Sequence, residues 1–272
     1  MKCVRTAATF PEASRFLPLL VILAWLAPTL GGQLPMRSAG AAVVASRRST
    51  PQPTTRYVIG YSVEHRPIVA VRLGSAAAKR SLLVVGSIAG DEPGGIAVVD
   101  ALRAHRPIPG VAIWLISNMN PDGLARRTRV NADGVDLNRN FSFAWRAIAP
   151  LGSRNYPGPR PLSEPESRAV AAFIRRVRPT LSIWLHQPYA LVDDSQGPMW
   201  AEELVAHAMG LPLDHLSDYP GSAIGWEDHL ISHSAFDLEL PGSTLSNSAI
   251  GRCADAIMHV ARNLSASSRV TR

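Results

Sequence analysis

Lysine is almost absent from this chain. Among 272 residues only Lys2 and Lys79 occur, so nearly all of the 28 basic side chains are arginine. Cysteine is as scarce: Cys3 and Cys253 cannot build a disulfide framework, and Cys253, in a segment with helical spacing, reads as a small core residue. Charged residues make up 18% and hydrophobic ones 46%, a balance that excludes a disordered chain and allows a packed core. No basic stripe interleaved with aromatic residues is present, so a nucleic-acid partner is not expected. The net charge of +7 is partly N-terminal, because residues 1–41 hold Lys2, Arg5, Arg15 and Arg37 against Glu12 alone. There is no internal repeat. The absence of a Gly-x-Ser-x-Gly motif leaves out the strand-to-helix elbow of the serine hydrolases.

What is present begins with a leader. Basic residues are followed by the apolar run Phe16 to Leu30 and then by small residues around Ala39-Gly40-Ala41-Ala42. This is the pattern of a secretory signal, and the run, broken by Pro18 and Pro28, is short for a membrane span. The expected organisation is a signal peptide over 1–41, a linker over 42–56, one folded domain over 57–265 and a tail over 266–272. The mature protein is therefore expected to be exported, to the extracellular space, cell wall or periplasm. The alternative is tethering by an uncleaved leader.

Within the domain, Val58–Ser62 and Ile68–Leu73 read as a hairpin, and Ser81–Ile88 and Val111–Ile116 as buried strands. Leu181–Leu185 and Ala235–Leu240 are further strands. Helical spacing marks Gly94–His105, Met199–Met209 with Gly210 as its stop, and Ser246–Asn263. Ser163-Glu164-Pro165-Glu166 reads as a capping box opening a helix to about Val177. Asn120-Pro121-Asp122-Gly123 reads as a turn, and residues 124–162 as a long loop, which in a compact domain is usually functional. Alternating strands and helices predict an α/β fold, with a mixed, largely parallel sheet covered by helices on both faces.

Glu92, His186 and Glu239 each fall where a strand ends, the place at which functional groups collect in open α/β sheets. Singly, each has a structural explanation: a carboxylate at a helix N-terminus, a hydrogen-bonded core histidine, a buried ion-pair partner. Jointly, a Glu and a His from two strands can share a zinc ion while a separate Glu serves as base for its water.

The motifs then become specific. Gly90-Asp91-Glu92, Asn120-Pro121-Asp122-Gly123, Arg129-x-Asn131, the octapeptide Gly134 to Phe141, Leu185-His186-Gln187 and Leu238-Glu239-Leu240-Pro241 follow one another in order. In this the domain resembles the zinc metallocarboxypeptidases of the carboxypeptidase A type, nearest the small bacterial branch that trims murein peptides. The resemblance implies a carboxypeptidase-like fold, one zinc ion, and a peptide substrate with a free terminal carboxylate, such as a cell-wall peptide. Glu92 and His186 match zinc ligands, and Glu239 matches the general base. Asn138 and Arg139 match the pair that grips the terminal carboxylate, a task suited to a guanidinium fork. Arg126 falls where an arginine stabilises the oxyanion, with Arg127 and Arg129 competing for that role. Tyr219 matches the tyrosine that caps the substrate. Asp136 matches the carboxylate that orients the first zinc histidine. That histidine belongs three residues before Glu92, and position 89 is Ala89. His65, His229 and His233 are the remaining conceivable sources of a nitrogen ligand. The resemblance thus leaves two functions open: hydrolysis by zinc-activated water, or peptide binding without catalysis.

Overall fold

The structure, a computed structural model, describes residues 54–194, 197–217 and 219–267. The expected leader lies outside them, as does most of the linker. The described residues belong to one compact unit, residues 48–272, and form an eight-stranded mixed sheet.

In chain order the strands are β1 (Thr55–Tyr61), β2 (Pro67–Leu73), β3 (Arg80–Val85), β4 (Val111–Ile116), β5 (Leu181–His186), β6 (Tyr189–Asp193), β7 (Leu213–Asp214) and β8 (Ala235–Pro241). The helices are α1 (Gly94–Leu102), α2 (Pro121–Arg126), α3 (Pro165–Val177), α4 (Met199–Met209), α5 (Ala223–Leu230) and α6 (Asn247–Ser267). Spatial order is β1-β2-β4-β3-β5-β8-β6-β7. Strands β4, β3, β5 and β8 run parallel, whereas β1–β2, β2–β4 and β6–β8 are antiparallel.

Period-two alternation divides the central strands between two cores. Leu82, Val84, Ile183, Leu185, Phe236 and Leu238 pack with α1, α4 and α6. Leu83, Val85, Trp184 and Ala235 pack with α3 and α5 on the opposite face. Because both faces are covered, Leu82–Val85 of β3 and the whole of β4 read as unbroken apolar runs. Helix α3 buries Val170, Phe173 and Ile174 on one stripe, each worth about 1.5–3 kcal/mol relative to exposure. Cys253 is buried and free, its thiol pushed by burial up to about 12.

Some elements differ from expectation. Helix α3 starts at Pro165 with Glu164 at its N-cap and no side-chain cap bond, so the capping box does not form. Instead Ser163 Oγ donates to Glu164 Oε1 (2.6 Å) and accepts from Asn140 Nδ2 (2.8 Å), which ties the end of the long loop down. Asn120-Pro121-Asp122-Gly123 is a helix start rather than a plain turn: Asn120 Oδ1 accepts from Gly123 N at 2.9 Å and Pro121 opens α2. The short elements β6, β7 and α5 lack the length or periodicity that makes a sequence signal. Among the described residues no helix is long and apolar enough to cross a membrane.

Candidate active site

The parallel strands β3, β5 and β8 end at one edge of the sheet, and their register sets the site. His186 closes β5 directly beside Glu239 of β8. The alternation that sends Phe236 and Leu238 into one core places Asp237 and Glu239 on the face of Trp184 and His186. Glu92 arrives from the loop after β3, just before α1. That loop is held close to α2: a Cβ on Gly90 would lie 2.0 Å from the carbonyl carbon of Gly123. Gln187 fastens the far side, accepting from Gly94 N at 2.9 Å and donating to Pro241 O at 2.6 Å.

These groups line a cleft of about 830 Å³. Glu92, His186 and Glu239 line it, and so do Arg129, Asn138, Arg139 and Tyr219. Arg126 does not. It is exposed and paired with Glu64 of the β1–β2 turn, with Ala132 O as a second acceptor. Arg127 is exposed and ends α2 in the left-handed conformation. Of the three arginines considered for the oxyanion, only Arg129 reaches the cleft. His65 sits at the exposed hairpin turn with φ 60°; the β2–β4 register brings that turn to the carboxyl edge of the sheet, contrary to expectation, but His65 does not line the cleft. His229 stacks on Phe143, and α5 stops at Leu230, so His229 and His233 do not share a helix, although both line the cleft.

The expected metal ligands are engaged with one another. His186 Nδ1 lies 3.2 Å from Glu92 Oε2, and its Nε2 lies 3.2 Å from Asp237 Oδ1. The second contact is an ion pair. Burial opposes charge on the imidazole, yet Asp237 and Glu92 outweigh it and hold the ring well above the usual histidine range. Glu92 is also buried, but the hydrogen bond and charge of His186, with Arg129, hold its carboxyl below the usual value. Arg129 Nη1 stands 2.9 Å from the other Glu92 oxygen, and its Nε 2.8 Å from Asp136 Oδ2. Position 89 is a buried methyl group, 1% exposed. Among the described residues no group of three or more His, Cys, Asp or Glu side chains is arranged to hold a metal ion. Among the described residues, the Glu239 carboxylate accepts only a long bond from Tyr189 N, 3.4 Å. Burial pushes its carboxyl up to about 7, opposed by the charge of His186.

Asp237 was not singled out from the sequence. The available signal was its position two residues before Glu239 on a strand that alternates inward and outward.

Arg139, Asn138 and Tyr219 also line the cleft. Arg139 is 7% exposed, donates from Nη1 to Asn138 O at 2.6 Å, and leaves Nε without a hydrogen-bond partner. Among the described residues no carboxylate forms an ion pair with it, and burial lowers its pKa. The Tyr219 ring lies 4.1 Å from the guanidinium carbon. Gly221, at φ +74°, lets its loop pass close to the Arg139 backbone, since a Cβ there would meet Arg139 O at 2.3 Å. Asn138 Oδ1 accepts from Ala223 N at 2.9 Å, which fixes the amide.

The fold and the ordered motifs agree with comparison to known proteins. The family model for zinc carboxypeptidases, Peptidase_M14, matches residues 41–192, and the chain belongs to that family. It is 32% identical over 196 residues to murein peptide amidase A of Escherichia coli K12, covering 67% of this chain and 79% of that protein. Among solved structures, murein-tripeptide amidase MpaA from Escherichia coli O157 aligns with a TM-score of 0.62 at 26% identity, covering 78% of this chain and 93% of that one. Carboxypeptidase A from Helicoverpa armigera aligns with a TM-score of 0.70 at 20% identity, over 80% and 70% of the two chains, and shows the shared fold.

Proposed function

We propose that this domain binds peptides by their free terminal carboxylate, with Arg139 and Asn138 as the anchor and Tyr219 as the cover, and that it does so without zinc hydrolysis. The observation that carries the reading is Arg139 itself: a buried guanidinium with an unsatisfied Nε, facing a cleft and lacking a counter-ion among the described residues. A carboxylate is the planar partner that such a fork takes in two parallel hydrogen bonds. Likeness to murein peptide amidases points to cell-wall peptides as the ligand class, and the N-terminal leader is in keeping with an exported protein.

The residues present do not fit a catalytic zinc ion. Such sites use three protein ligands and a water. Here Glu92 and His186 are two, and the third position is the methyl group of Ala89. Both nitrogens of His186 already face carboxylates. The second reading, a zinc-dependent carboxypeptidase with Glu239 as base, draws on one observation: a buried Glu239 held at about 7, suited to exchanging protons near neutral pH.

Calorimetry with one short peptide as the free acid and as the C-terminal amide tests the binding reading. The free acid should bind at least about tenfold more tightly, the equivalent of one charged hydrogen bond; equal affinities would end it. One tightly held zinc per purified chain would favour the enzyme instead.

A further inference from the structure

Asp136 is the carboxylate whose expected partner the sequence removes. It is 1% exposed, and a carboxylate so placed needs donors. One oxygen caps the turn that follows, accepting from Asn138 N at 3.0 Å. The other faces Arg129 Nε at 2.8 Å, while Arg129 Nη1 reaches Glu92 at 2.9 Å. We infer that Arg129 is the resident cation of this site. Its guanidinium bridges the two carboxylates that would otherwise be organised around a divalent ion, and it offsets one of their two negative charges.

Arg129 is held in this place by its surroundings. Its backbone carbonyl accepts from Asn120 Nδ2 at 3.0 Å and from Gly90 N at 3.3 Å, so the chain at Arg129 is pinned to the loop that carries Ala89 and Glu92. Asn120 Nδ2 also reaches Ile88 O at 3.2 Å, closing the same knot. A guanidinium keeps its charge at any pH in which a protein folds and offers donors along two edges, so it can serve two carboxylates at once. Burial disfavours the charge on Arg129, but Asp136 and Glu92 outweigh that effect. A metal entering here would have to displace two charge-assisted hydrogen bonds and would find only two protein ligands.

The inference rests on the part of the proposed function that leaves zinc out. It does not depend on peptide binding at Arg139, which the free-acid and amide comparison tests separately. The decisive measurement is nuclear magnetic resonance of the arginine Nε–H groups in the full protein, with Arg129 assigned by its loss in Arg129→Lys. The Arg129 Nε–H should exchange slowly and stay in place when excess zinc chloride is added. Arg129→Gln leaves Asp136 buried without a cation and Glu92 with His186 alone, so its Tm should fall by roughly 5–15 °C. It should also bind zinc at least about tenfold more tightly than wild type, on the scale of a lost neighbour at a metal site. Arg129→Lys, which keeps the charge, should bind zinc no better than wild type. The inference is overturned if the Arg129 Nε–H exchanges like that of a surface arginine, if stoichiometric zinc displaces it, or if Arg129→Gln gains no zinc affinity. Should the glutamine variant not fold, the zinc titration of the wild-type resonance decides the matter alone.

Discussion

Replacing Ala89 with histidine asks how far the site stands from a zinc enzyme. The strand before it, Glu92, His186 and Asp136 are in place, so Ala89→His returns a third ligand together with the carboxylate that would orient it. At known metal sites the orienting partner alone is worth roughly 10–100-fold in affinity or activity, about 1.4–2.8 kcal/mol, and the ligand itself adds to that. The opposing effect is local. Asp136 must exchange Arg129, at 2.8 Å, for the imidazole, and Glu92 must loosen its 2.9 Å contact. Each charged hydrogen bond is worth about 1.5–3 kcal/mol, but a guanidinium released into the cleft regains water, so only part of this is lost. The expected result is zinc binding tightened by at least about tenfold, with release of a C-terminal residue from a free-acid peptide appearing or increasing. Zinc titration and a peptidase assay should be run on wild type, on Ala89→His, and on Ala89→His combined with Glu239→Gln; the last should keep the metal and lose the turnover. If wild type already holds one zinc tightly and histidine changes neither quantity, another group completes the site and this account of position 89 is wrong.

Arg139→Ala should weaken free-acid peptides by roughly 10–100-fold and leave amidated ones nearly unchanged; calorimetry showing no loss would remove Arg139 from the anchor. Glu227 is buried between Ser182 Oγ (2.6 Å) and Trp184 Nε1 (2.9 Å), both donating to it, and burial pushes its carboxyl from 4.5 up to about 7. A carboxyl raised on folding stabilises the protein fully below its unfolded pKa and loses that contribution as pH rises through its folded one. The range is therefore pH 4.5 to 7, and the size is about 3 kcal/mol. Glu227→Gln should accordingly gain several degrees of Tm on wild type between pH 5 and pH 8, about 2–4 °C for each kcal/mol; parallel melting curves at both pH values would refute it. For the leader, N-terminal sequencing of the exported protein should find a start between roughly residues 30 and 45, and a chain beginning at Met1 fixed in the membrane would contradict that.

Much of the fold was legible because its signals are local. The runs Leu82–Val85 and Val111–Ile116 can be little else than strands buried on both faces, and Met199–Met209 carries both period and stop. The motif order led to the family because each motif has a fixed geometric task, as when Asn120 uses one amide to cap α2 and to bind Ile88 O and Arg129 O. The less legible parts depend on distance through space. Arg126, Arg127 and Arg129 are nearly equivalent in sequence, and what separates them is Glu64, 62 residues from Arg126, which draws that side chain to the hairpin. The pairing of Asp237 with His186 needs the β5–β8 register, which no local pattern encodes. The capping box at Ser163 failed because Asn140, 23 residues away, claims the serine hydroxyl.

The unbalanced charge on Arg139 also bears on how the protein is handled. On the proposed function, a buried guanidinium with Nε unsatisfied would accept whichever small carboxylate the solvent supplies. Acetate, citrate or a copurifying peptide bound there would stabilise the folded protein by mass action, by about 2.7 kcal/mol at a ligand concentration one hundred times its Kd, and so raise its melting temperature. Citrate buffer would then mask weak peptides, whereas a buffer without carboxylates would turn thermal shift into a direct screen for the natural ligand.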